Sequence, residues 1–202
     1  MTDARQATDQ ADASSATARR AVAAAVVSSP TLVDRAFRLV YWLGFRVARG
    51  WWCVRRPDHH GAVVAVWLDG MILGVRQSYT RRLTWPGGGV GHNEDPAAAA
   101  QRELREEVGL DVRREDLRLV RQVTLQYDFR RDHVSMFELH LSAPAVLRPD
   151  RREITHASFM YPAEMLAAKT PPFVRRYLLD RTASYTSSVT PGSAKPHSAT
   201  PQ

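Results

Sequence analysis

Between Thr31 and Arg56 the apolar residues Leu32, Val33, Ala36, Phe37, Val40, Leu43, Phe45, Val47 and Trp51 recur at roughly helical spacing, with arginines between them. That pattern predicts an amphipathic helix. From Gly61 the texture changes. Ala62 to Leu68 is apolar and rich in β-branched residues, Asp69-Gly70 is a hairpin turn signal, and Met71 to Val75 reads as the returning strand. A glycine-rich loop follows, then a helix over Pro96 to Val108. Asp95 stands at its N-cap, Pro96 at its first position and Gly109 where a left-handed C-terminal residue is needed. Strands are expected at Leu119 to Phe129, Val134 to Ser142 and His156 to Tyr161, with helices at Pro162 to Ala168 and Pro172 to Arg181. The order is β-rich, helix, β-rich, helix, which predicts an α/β (α+β) sandwich with a mixed sheet and not a regular βαβ repeat.

The ends read differently. Residues 1–30 are rich in Ala, Ser, Thr and Asp, and residues 182–202 in Ser, Thr and Pro. Both are expected to be disordered tails, because they offer too little apolar surface to offset ordering entropy, although Arg19 to Val27 could form a weak helix. The organisation expected is therefore a tail at 1–30, a helical segment at 31–60, a domain at 61–181 and a tail at 182–202. With 202 residues, 44% of them hydrophobic, the chain can bury one real core, which excludes a wholly disordered protein. A single cysteine, Cys53, permits no internal disulfide and suits a reducing compartment; with neither a signal-peptide pattern nor an uninterrupted apolar span, cytoplasm is the expected location.

A net charge of +7 raises the question of nucleic-acid binding. The basic residues form no block, however, and of the 28 only Lys169 and Lys195 are lysines. That spread argues against a polyanion-binding role. The densest basic segment is 31–60, with six arginines against Asp34 and Asp58. Its helix is expected to pack on the domain or on a second copy in a homodimer; a helix lying on a membrane surface through 31–56 is the less favoured reading.

The chemistry concentrates between Trp85 and Leu110. On the predicted helix Glu103, Glu106 and Glu107 lie three and four residues apart, so three carboxylates share one face within a turn. Like charges at that spacing cost roughly 0.2–0.5 kcal/mol per pair. Two of them also stand near the helix C-terminus, where the dipole disfavours negative charge. A hard divalent cation with oxygen ligands would compensate them, and Mg²⁺ prefers carboxylates, waters and phosphate oxygens. Arg102 can pair with one glutamate and orient it. Gly87, Gly88 and Gly89 permit positive φ and close backbone approach, so their loop can aim a carbonyl at a metal or amides at a phosphate.

These residues resemble the box of the Nudix hydrolase family, G-x5-E-x7-R-E-U-x-E-E-x-G-U with U bulky and aliphatic. Gly88, Glu94, Arg102, Glu103, Leu104, Glu106, Glu107, Gly109 and Leu110 occupy every specified position. The resemblance implies a mixed sheet between helices over roughly 61–181, and a metal-dependent hydrolase that cleaves a diphosphate in a nucleoside diphosphate-X substrate with Mg²⁺ or Mn²⁺. Carried over by position, Glu103, Glu106 and Glu107 become the metal ligands and the Gly87 carbonyl an additional one. Arg102 becomes the orienting residue, with Gly88 and Glu94 in supporting roles. Water would attack phosphorus. The general base is left open between Glu103, Glu153 in the loop before the last strand, and Glu138 on a predicted strand; Glu153 is the better downstream candidate.

One departure stands out. Where many members of the family read Glu-Pro-Gly, this chain has Gly91, His92 and Asn93, and Asn93 is the non-glycine residue most tolerant of a left-handed backbone. Substrate contacts must come from outside the box: Arg76, Arg81 and Arg82 suit a negatively charged group, with Arg76 or Arg82 preferred, and Tyr79, Trp85, Tyr127 or Phe129 could stack on a base. A nucleotide-sensing module without turnover is the alternative, and the intact glutamates favour the enzyme.

Overall fold

Seven apolar residues run without a break from Ala62 to Leu68, all buried, which is the signature of a strand covered on both faces. The computed structural model describes residues 24–25 and 30–188, and in it that run is the centre of the molecule. The elements are β1 (Ala24–Ala25), α1 (Leu32–Arg55), β2 (Asp58–Leu68), β3 (Met71–Gln77), β4 (Gly87–Gly89), α2 (Pro96–Val108), a 3-10 turn (Arg114–Asp116), β5 (Arg118–Tyr127), β6 (Arg130–His140), β7 (Ile154–Met160), α3 (Pro162–Ala167) and α4 (Pro172–Ser188).

The sheet order is β1-β7-β3-β2-β6-β5, with β4 also paired to β2. Strands β2 and β6 are parallel and every other pairing is antiparallel, so the sheet is mixed as expected. Alternation along β2 divides the core in two. Ala62, Val64, Val66 and Leu68 face α2 with Leu104 and Val108, whereas Val63, Ala65 and Trp67 face Met165, Val174 and Leu178 of α3 and α4. Each large apolar side chain so covered contributes about 1.5–3 kcal/mol.

Local signals account for most boundaries. The β2–β3 turn has positive φ at both Asp69 (47°) and Gly70 (76°), the pairing that a tight two-residue hairpin needs. Helix α2 ends on Gly109 in the left-handed conformation, φ 70°. Its N-cap Asp95 makes no side-chain capping bond and lies instead 3.5 Å from Arg114. Helix α1 opens with a reciprocal box, Thr31 and Asp34 each accepting the other's backbone N–H, and closes at Arg56 with φ 44°.

Several expectations are corrected. The strand expected over Leu119 to Phe129 stops at Tyr127, because Asp128 and Phe129 both take positive φ (48° and 68°) and form the turn into β6. The last helix continues past Arg181 to Ser188, into the segment expected as a tail; residues 189–202 lie outside the described residues. Within 1–30, expected as a disordered tail in which Arg19 to Val27 could form a weak helix, Ala24 and Ala25 pair with Ser158 and Ala157 as a strand, and residues 1–23 and 26–29 lie outside the description. No helix among the described residues is long and apolar enough to cross a membrane.

Strand β4 imposes the tightest steric demand. Gly87 has φ 148°, and a Cβ there would overlap the Ala62 carbonyl oxygen and lie 2.7 Å from Val63 Cα. Gly87→Ala is therefore expected to lower unfolding free energy by about 2 kcal/mol or more, read from urea denaturation.

Candidate active site

Leu104 and Val108 fix one side of α2 to the core, and that anchorage determines where the acidic face points. Glu107 is turned inward and is only 3% exposed. Its carboxylate accepts the Gly87 N–H at 2.9 Å and the Gln77 amide at 3.1 Å. Glu103 packs its carboxylate against the α-carbon of Gly88, a place that any Cβ would fill. Glu106 is more open, with its side chain 56% exposed.

Arg102 ties the loop to this helix. Its Nη1 donates to Glu103 at 2.7 Å and to Glu106 at 3.4 Å, its Nε to Glu94 at 3.1 Å, and its Nη2 to the Gly89 carbonyl at 3.0 Å. Glu94 also accepts the Gly91 N–H at 2.7 Å, which closes the loop on itself across Asn93, whose φ is 61°. The bond from Arg102, with that from Gly91, holds the Glu94 carboxyl below its ordinary range.

A second segment converges on the same helix. The last carbonyls of α2 have no partners within the helix, and the 148–153 loop supplies them: Arg148 N–H donates to the Val108 carbonyl at 2.8 Å and Asp150 N–H to that of Glu107 at 3.0 Å. This docking, with a 2.6 Å bond from Ser78 N–H to the Glu153 carbonyl, brings Glu153 to the acidic cluster. The Tyr79 hydroxyl donates to Glu153 at 3.0 Å. Burial, reinforced by Asp150 and Glu106, raises the Glu153 carboxyl above its ordinary range. Burial likewise raises Glu103, against the opposing bond from Arg102. Glu107, the most buried, is pushed up to about 8 by desolvation, with Glu153 and Glu103 adding to it.

Among the described residues no three acidic, His or Cys side chains already close around a common point, since Arg102 holds Glu103 and Glu106. The donor set nevertheless fits a hard divalent cation: it is all oxygen, and three of the carboxyl groups are ones whose burial disfavours negative charge until a cation compensates it.

Beside this cluster lies a cleft of about 270 Å³ that shares Gln77, Tyr79 and Gly87–Gly89 with it. Arg82 lines the cleft, donating to the Tyr127 hydroxyl at 2.6 Å and to Asp128 at 3.1 Å. Arg76 does not line it; that side chain is exposed on β3 beside His156. Of the aromatic candidates, Tyr79 and Tyr127 face the cleft, Trp85 also borders it but is fully buried against Tyr177, and Phe129 sits on the exposed turn. Glu138 is elsewhere: it is buried among Tyr177, Arg118, Arg181 and His140, on the α4 side of the sheet. Burial opposes its ionisation, but those bonds outweigh it and keep the carboxyl below its usual range.

Four of the cleft residues that sequence reasoning missed carry rings or charge close to its candidates. Phe45 and Trp52 reach in from α1, with Phe45 5.0 Å from Tyr79 and 5.9 Å from Trp52. Their seven-residue spacing places them on one helical face; the helix was expected to pack on the domain or on a second copy, but the sequence does not say with which face. Asp132 and Arg130 are the others, 2.8 Å apart, with His59 Nδ1 3.1 Å from the same Asp132 oxygen.

A family model described as NUDIX domain matches residues 58–181. The chain is similar to the solved structure of an Ap4A hydrolase from C. elegans, with a TM-score of 0.55 and 17% identity over 64% of this chain and 98% of that one. It is also similar to a MutT protein from Methanosarcina mazei Go1 (TM-score 0.54, 19% identity, 66% and 98% covered) and to a MutT NUDIX hydrolase from Burkholderia pseudomallei (0.53, 20%, 60% and 96%). At these identities the likeness shows a shared fold. No curated protein matches the chain.

The raised Glu107 carboxyl has a consequence for metal-free protein. In the unfolded chain this group ionises near its ordinary value of 4.5, whereas in the fold it keeps its proton up to about 8. Between those values the native state binds more protons than the unfolded one, so stability falls as pH rises and levels off above 8. Urea denaturation in chelator at pH 5 and pH 8 is expected to show this loss, of a few kcal/mol. Glu107→Gln should flatten it, with the Gln77 amide turned to accept from the new side chain.

Proposed function

The chain belongs to the NUDIX family, and on that premise we propose that it hydrolyses a diphosphate linkage in a nucleoside diphosphate-X type substrate, with Mg²⁺ or Mn²⁺. The observation that carries the reading is the convergence of Glu103, Glu106 and Glu107 with Glu153, brought from a separate loop, beside a cleft lined by aromatic rings. Membership makes the protein a hydrolase of small nucleotide-type substrates; the linkage, the metal and the residue roles are this proposal.

In the proposed reaction water adds to one phosphorus, the bridging P–O bond breaks, and the water proton passes to a carboxylate while the leaving phosphate takes the bonding pair. Glu103, Glu106 and Glu107, with the Gly87 carbonyl, would hold the cation. When bound there, a divalent cation neutralises phosphate oxygens and acidifies water. Glu153 suits the base, because its burial and the neighbouring Asp150 and Glu106 raise its affinity for a proton. Glu103 suits it less, with Arg102 donating to it at 2.7 Å. Arg102 orients the cluster, helped by Glu94, and Gly88 leaves room for Glu103. Arg82 and Arg130 are the arginines of the cleft, and Phe45, Trp52, Tyr79 and Tyr127 offer ring faces and edges to a base or to X.

Product release from a panel of nucleoside diphosphate-X compounds is expected to require Mg²⁺ or Mn²⁺ and to drop by about a hundredfold or more in Glu107→Gln. Calorimetric binding with no turnover of any compound would assign a nucleotide-sensing module instead. Glu153→Gln is expected to lower kcat by roughly 10²- to 10⁴-fold while metal affinity stays within a few-fold of the wild type. An unchanged kcat would remove Glu153 as the base.

A further inference from the structure

The apolar stripe of α1 faces away from the domain. The helix contains no buried residue, and the side that meets the domain is a mixture: Phe45 and Trp52 reach the cleft, Arg38 donates to the Arg151 carbonyl at 2.9 Å, and Arg49 lies 3.6 Å from Asp128. The opposite side carries Leu32, Leu39, Leu43, Val47, Trp51 and Val54, each more than half exposed. At 100° per residue these six lie within one broad stripe, and Arg35 and Arg46 border it. Such a face, about 36 Å long at 1.5 Å per residue, is costly to leave in water.

We propose that this face lays the protein on an anionic lipid surface. Charge selects that occupant over a second copy of the chain. Of the five arginines of the helix, Arg38 and Arg49 are engaged with the domain, but Arg35, Arg46 and Arg55 flank the outward face and the one acid, Asp34, is taken up in the Thr31 cap. Two copies face to face would bring these like charges together, whereas an anionic surface attracts them. Apolar residues on the outer side, arginines along the border and a tryptophan, Trp42, near that border are the arrangement that seats a helix at the boundary of headgroups and acyl chains. The five arginines also prevent the segment from spanning the bilayer. The caps at Thr31 and Arg56 define the helix at both ends without burial, so the face exists before any surface is met. Phe45 and Trp52 project from the other side, and docking therefore leaves the cleft wall in place.

Co-sedimentation of the full chain with phosphatidylcholine vesicles, with and without phosphatidylserine, tests this independently of catalysis. The expected result is retention on the serine-containing vesicles that weakens at high salt. The triple variant Leu39→Gln, Leu43→Gln and Val47→Gln should lower the partition coefficient by about tenfold or more, with an unchanged circular dichroism spectrum. Arg35→Gln with Arg46→Gln should reduce binding to anionic vesicles and leave neutral ones unaffected. A wild-type chain that stays in the supernatant with both vesicles overturns the proposal. If light scattering then shows a dimer that the triple variant returns to monomer, the face belongs to a second copy.

Discussion

The bond from the Gly87 N–H to the buried Glu107 carboxylate is the contact on which the site's architecture depends. It joins the last turn of α2 to a three-residue strand wedged against β2, and it works only because Gly87 and Gly88 carry no side chain. A carboxylate at this depth is unfavourable when ionised unless its neighbours compensate it. Two neutral donors, Gly87 N–H and the Gln77 amide, do so in part, and the group keeps a raised proton affinity. The structure thus holds in reserve a negative charge that a cation would release, and it holds it on a helix fixed to the core by Leu104 and Val108.

The same helix end explains how a loop residue comes to share the site. Carbonyls of the last turn of a helix need donors, and here they are met by Arg148 and Asp150 of a segment far along the chain. Backbone satisfaction therefore carries Glu153 into place, and Tyr79 and Ser78 from the loop after β3 complete its setting. Neither the acid nor its loop has a pattern of its own; position follows from the hydrogen-bond demand of α2.

That difference decides what could be read from sequence. The box residues, Gly109 as a left-handed cap, the Asp69-Gly70 turn and the positive φ of Asn93 are local matters, in which residue type and backbone geometry determine each other. The layers were legible too, since strand and helix periods differ. Glu138 was misplaced as a candidate because alternation along β6 gives the face of a residue and not the element covering it; Tyr177 and Arg181 of α4 take that role. Arg76 lies outside the cleft for a related reason: it stands one residue before Gln77 on β3, and strand alternation turns neighbouring side chains to opposite faces. The β5–β6 turn was hidden because Phe129 is a poor residue for φ 68°, a conformation costing about 1–2 kcal/mol for a side chain of this kind.

What holds that unfavourable turn also joins the helix outside the box to the cleft. Asp128 stands between Arg82 of the cleft, at 3.1 Å, and Arg49 of α1, at 3.6 Å, and the Arg49 guanidinium lies 5.3 Å from the centre of the Phe129 ring. One residue further on, Arg130 stacks over Trp52 at 4.2 Å while its Nε reaches Asp132 at 2.8 Å. Ion pairs that are partly open to water contribute little each, but here three of them and two cation–π contacts gather at one short turn. The turn conformation, the placement of Arg82 and the seating of α1 are therefore one coupled arrangement. A segment that lies outside the family's domain supplies a wall of its cleft through residues on one side, and leaves the apolar side of the same helix facing outward.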